Sequence, residues 1–100
     1  MADMHVAAVR IDLRIPNVRS LKGKRRILKA VTAQLARSEA IAVAEVDHHD
    51  LWQRAALGVA LVAPQAGRLD RMLHGIERDL RRRDDVELLA VAVTYLEEPT

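Results

Sequence analysis

Apolar and polar residues alternate from His5 to Ile15, with Ala7, Val9, Ile11, Leu13 and Ile15 on one side and Arg10, Asp12 and Arg14 on the other. A period of two marks a half-buried strand. Pro16-Asn17 then supplies a turn, and a helix is predicted from Ser20 to about Arg37. At about 100° per residue its Leu21, Leu28, Val31 and Leu35 share one stripe, while Lys22, Arg25, Arg26 and Lys29 gather on the other side. Ile41 to Asp47 reads as a second strand, with Ile41 and Val43 on one face, Ala42, Ala44 and Val46 on the other, and Glu45 and Asp47 sharing the parity of Ile41. Asp47-His48-His49-Asp50 is a short polar loop, in which Asp47 or Asp50 caps the turn through its own backbone. The apolar run Trp52 to Ala63 forms the other arm of a hairpin, broken by Pro64 and Gly67. Leu69, Met72, Leu73, Ile76 and Leu80 carry the spacing of an amphipathic helix, which ends in Arg81-Arg82-Arg83. Val86 to Leu96 is a last strand, with Leu89, Val91 and Val93 on one face and Leu88, Ala90, Ala92 and Thr94 on the other.

The order strand, helix, strand, strand, helix, strand predicts an α+β, ferredoxin-like β-α-β-β-α-β sandwich, built as one domain over residues 1–100. Right-handed crossovers place both helices on one face of a four-stranded antiparallel sheet, with the first and third strands central. The opposite face is left bare. It is expected to carry Ala8, Arg10, Ala56, Gly58, Ala60, Ala90 and Ala92, small residues around one arginine, and a second copy of the chain is the economical cover. Trp52, at the root of the hairpin, is a candidate anchor for the same interface or a lid on the core.

Positive charge is concentrated at one place. The net charge is only +2 with 30% charged residues, yet five of the cations fall within Lys22 to Lys29. Ser20 is a good N-cap, but cations in a first turn oppose the helix macrodipole, so a sequence shaped only for stability would place acids there. An anionic partner held by Arg19, Ser20, Lys22, Lys24, Arg25, Arg26 and Lys29 compensates, and RNA is the natural polyanion. Half the residues are apolar and none is cysteine, which excludes disulfides, thiolate metal sites and a cysteine nucleophile. The first ten residues lack a long apolar run and no apolar stretch of about 18 residues occurs, so a cytoplasmic location without a membrane partner is expected.

Ser20-Leu21-Lys22-Gly23-Lys24-Arg25-Arg26, followed by Val43-Ala44-Glu45-Val46-Asp47 and Asp50-Leu51-Trp52-Gln53-Arg54-Ala55, resembles the YlxP-like family of small bacterial proteins of unknown function, over nearly the whole chain. The resemblance implies a ferredoxin-like domain of about this length, usually encoded among genes for translation initiation and ribosome maturation, and it brings no established catalytic activity. Gly23 departs from the family pattern, which has glutamate three residues after the cap serine. The reciprocal bond of a capping box is thereby lost, and the helix start is expected to be looser and more positive.

Other chemistries fit less well. Base stacking on the sheet needs aromatics, and the chain has no Phe, one Trp and one Tyr. His48 and His49 are adjacent, so an extended backbone points them apart and no metal is expected. Glu45 or Asp47 near the core side is expected to form an ion pair with a nearby basic residue such as Arg54, or a loop hydrogen bond. Acylphosphatases share the predicted fold and hold phosphate in the loop where Arg19 and Ser20 lie, but their glycine-flanked motif is missing. The expectation is a non-catalytic module without a cofactor that holds RNA or a ribosome-associated complex. The alternatives are a homo-oligomeric interaction module working through the bare sheet face and, behind it, a phosphate-ester or acylphosphate hydrolase.

Overall fold

The computed structural model describes residues 4–37 and 40–96. Strand β1 spans His5–Arg14, helix α1 Leu21–Leu35, β2 Ile41–Asp47, β3 Arg54–Ala63, helix α2 Ala66–Arg81 and β4 Glu87–Tyr95. The strands form one antiparallel sheet in the order β2-β3-β1-β4, the ferredoxin-like arrangement. Ala7, Val9, Ile11, Leu13 and Ile15 turn to the helix side as their alternation requires, opposite Ala55, Leu57, Val59, Leu61 and Ala63 of β3. Leu28, Val31 and Leu35 of α1 and Leu69, Leu73, Ile76 and Leu80 of α2 close over them as one core, so both helices lie on one face. Among the described residues no helix is long and apolar enough to cross a membrane.

Two registers depart from simple alternation. Between Glu45 and Asp47 the pairing of β2 with β3 shifts by one residue, so that Glu45 lies opposite Leu57 while Asp47 lies opposite Ala56. The extra residue, Val46, is a bulge that turns Asp47 onto the open face, away from the side its parity predicts. A second bulge on β4 falls at Leu89, since Leu88 pairs with Leu13 and Ala90 with Asp12. Leu88 therefore packs on the core and Leu89 is exposed, the reverse of the expected faces. β3 also starts at Arg54 rather than Trp52, which leaves Trp52 half-exposed in the loop and not a lid on the core.

Candidate functional site

Ser20 has an extended backbone, and its Oγ accepts from the Gly23 N–H at 3.0 Å, so the cap forms without the glutamate partner. The Ser20 carbonyl accepts from the Lys24 N–H at 3.0 Å, which starts the helix ladder. The α1 sequence contains no acid, and its first turn none in particular. Arg19, Lys22, Arg25, Arg26 and Lys29 are all exposed. Among the described residues, no carboxylate lies within salt-bridge reach of any of these five. Arg25 and Lys29 border a groove of about 430 Å³ between α1 and β2, with Leu28, Thr32 and Glu45 also on its walls.

Lys24 is the exception, and it corrects the expected set of anion ligands. It is 1% exposed, with its ammonium 3.0 Å from Glu45 Oε2 and donating to the His48 carbonyl at 2.6 Å. Its carbon stem fills the core stripe at the position between Leu21 and Leu28. Glu45 thus pairs with Lys24, not Arg54. The approach to Oε2 is close but poorly angled, so that buried oxygen gains Coulombic attraction without a hydrogen bond. A long side chain on the core stripe was the signal in the sequence; its charge concealed it.

The same contact pins the β2–β3 loop to the helix start. His48 takes a left-handed backbone (φ 62), Asp47 Oδ1 accepts from the His48 N–H at 2.8 Å, and Leu51 N–H closes the turn on the His48 carbonyl at 3.1 Å. The His48 bond comes first and the Arg10 bond second among the causes that hold the Asp47 carboxyl below its ordinary range. Gln53 then donates to the carbonyls of Pro16 and Val18 at 3.3 and 3.1 Å, tying the loop to the β1–α1 connection. The two imidazoles diverge: His48 sits 3.9 Å from Asp12 and Asp47, and His49 4.0 Å from Glu45.

The open sheet face is concave. Ala8, Arg10, Ala42, Ala44, Val46, Gly58, Ala60, Ala92 and Thr94 line a shallow apolar trough of about 510 Å³. Arg10 at its margin is engaged by Asp12 and Asp47, at 3.3 and 3.2 Å. Of the expected interface residues, Ala60 is exposed, but Ala56 is 0% exposed and has nothing to offer a partner. Gly58 lies beneath Val46, whose Cγ1 would stand 2.7 Å from a Cβ built there.

Residues 6–93 match a family described as protein of unknown function (DUF503). This agrees with the coarser part of the resemblance drawn from the sequence, a family without an assigned function. No curated protein matches the chain. Among solved structures, the de novo designed protein Foldit4 is similar with a TM-score of 0.58 and 17% identity, covering 96% of this chain and 99% of that one. A C-terminal segment of the alpha subunit of aIF2 from Pyrococcus abyssi has a TM-score of 0.51 and 13% identity, over 94% of this chain and 51% of that one. At such identities the likeness is one of fold alone.

Proposed function

We propose that this chain, which belongs to the DUF503 family, is a non-catalytic module that holds an anionic partner, RNA or a ribosome-associated complex, on the basic start of α1. The observation that carries the reading is the split among the cations. Lys24 is consumed inside the protein, whereas Arg19, Lys22, Arg25, Arg26 and Lys29 stand in solvent with no carboxylate in reach among the described residues, and Lys22 lies in a first turn whose dipole disfavours a cation. A chain free to drift would gain stability from acids there, so an external anion is the compensating partner. Phosphate contacts of this kind give salt-sensitive binding with little sequence discrimination. Co-sedimentation with RNA or ribosomal subunits tests it: replacing Lys22, Arg25, Arg26 and Lys29 by Gln abolishes sedimentation if the reading holds and leaves it unchanged if it fails.

The trough favours a second reading, in which the open sheet face is the working surface and a second copy covers it. Gly58 is a poor place to test it, since any side chain there collides with Val46 and disturbs the β2–β3 pairing regardless of a partner. Ala60→Arg blocks the floor of the trough at an exposed position. A loss of mass in solution supports this reading, and an unchanged mass removes it.

A further inference from the structure

We infer that the outer edge of β4 is a self-pairing edge, through which two copies join their sheets around a two-fold axis. The Leu96 N–H donates to the Val6 carbonyl at 2.9 Å, and the Ile15 N–H to the Gln53 carbonyl on the β3 side, also at 2.9 Å. Alternation along antiparallel strands then turns the N–H groups of Ala90, Ala92 and Thr94 toward β1. Those of Val91, Val93 and Tyr95 point outward, and among the described residues β4 pairs with β1 alone.

Native edge strands are guarded by charge, proline, short length or a bulge in the exposed run. The other edge, β2, has such guards: it is seven residues long, carries Glu45 and Asp47, and bulges at Val46. β4 is nine residues long and the chain is uncharged from Leu88 to Leu96, without proline. Its bulge, at Leu89, lies outside the run from Val91 to Tyr95. The helix layer does not shield it either, since Val93 is 37% and Tyr95 51% exposed although both face that side. An unguarded edge of this kind needs a partner strand.

The partner that fits is the chain itself. An antiparallel pair centred on Val93 sets Val93 against its own copy and Val91 against Tyr95 of the other protomer, in both directions. Each pairing exchanges two main-chain bonds, about six in all. Exposed Val93 and Tyr95 then gain cross-strand neighbours on the helix side, Tyr95 over a β-branched Val91. On the open side only Ala92 and Thr94 meet, so nothing bulky obstructs the joint. The face itself makes a weaker claim on the second copy: Ala56 is already covered, Gly58 lies under Val46, and Arg10 has its counter-charges.

Light scattering across a concentration series, with amide hydrogen exchange, tests the assignment. The wild type is expected to reach twice 11.2 kDa, with slow exchange at Val91, Val93 and Tyr95 that grows slower as concentration rises. Val93→Pro removes an outward donor without touching the bonds to β1, and Val93→Lys places a charge on the edge in case proline unsettles the strand. Either folded variant is expected to run at monomer mass with those amides fast. A wild type that stays at 11.2 kDa with the three amides fast overturns the proposal. So does a dimer that survives both substitutions but is split by Ala60→Arg.

Discussion

Removing the Lys24 ammonium while keeping its length, as in Lys24→Met, isolates what the buried pair contributes. The substitution leaves the apolar stem on the core stripe but takes away the partner of Glu45 and the donor to the His48 carbonyl. Breaking a buried ion pair from one side costs about 3–5 kcal/mol. Here Glu45 keeps 25% exposure and recovers some water, which lowers the expectation to about 2–3 kcal/mol. Glu45→Leu is the harsher change, because the ammonium it strands is almost without solvent; about 3–5 kcal/mol is expected. The double variant leaves neither charge, so its cost falls well below the sum, to within about 1–2 kcal/mol of wild type. Urea denaturation reads all three. Trp52, the sole tryptophan, lies in the loop that Lys24 pins, so its fluorescence reports whether that loop detaches first. At about 4–8 °C per kcal/mol for a domain of this size, Lys24→Met alone lowers Tm by roughly 8–24 °C. Additive costs across the cycle, or a Lys24→Met chain within about 0.5 kcal/mol of wild type, would refute the account of Lys24 as a structural rather than a binding cation.

Ser20→Ala deletes the only side-chain cap of α1 among the described residues and is expected to cost about 1 kcal/mol, read as a drop of about 4–8 °C in Tm. The Arg83 guanidinium grips Asp85 through bonds of 2.9 and 2.7 Å and holds its carboxyl below the ordinary range. A carboxyl depressed in the folded state contributes stability above its unfolded value, and that contribution is lost as pH falls through the folded value. Wild type should therefore exceed Asp85→Asn by less than about 1 kcal/mol at neutral pH, since the pair is part-exposed, and the difference should shrink as pH falls below the ordinary carboxylate range and vanish once the folded carboxyl is protonated. A gap that persists or grows in acid contradicts the assignment.

The architecture was legible because its elements announce themselves locally. Strict alternation in β1, the Leu69 to Leu80 spacing in α2 and the polar loop at Asp47 to Asp50 each specify an element without help from the rest of the chain. What the sequence concealed is non-local. A bulge is one residue of slack between two strands, set by the partner as much as by the chain that carries it, so parity counting placed Asp47 and Leu89 on the wrong faces. Lys24 failed for a related reason: its position was that of a core residue, but only a carboxylate arriving from β2 makes a buried ammonium tolerable. Ala56 belongs to the open face as expected, yet it has no exposure there. The exposure of Lys22, Arg25, Arg26 and Lys29 on α1 was legible because it follows from their angle around the helix alone.

The measurement that bears most directly on the proposed function is the salt dependence of RNA binding by wild type and by the Lys22, Arg25, Arg26 and Lys29 to Gln variant. Each phosphate contact adds roughly 0.7–0.9 to the slope of log affinity against log salt, so losing four flattens it by about three units. A steep wild-type slope is expected, which the variant loses together with most of its affinity at low salt. Equal slopes and equal affinities for the two proteins would contradict it.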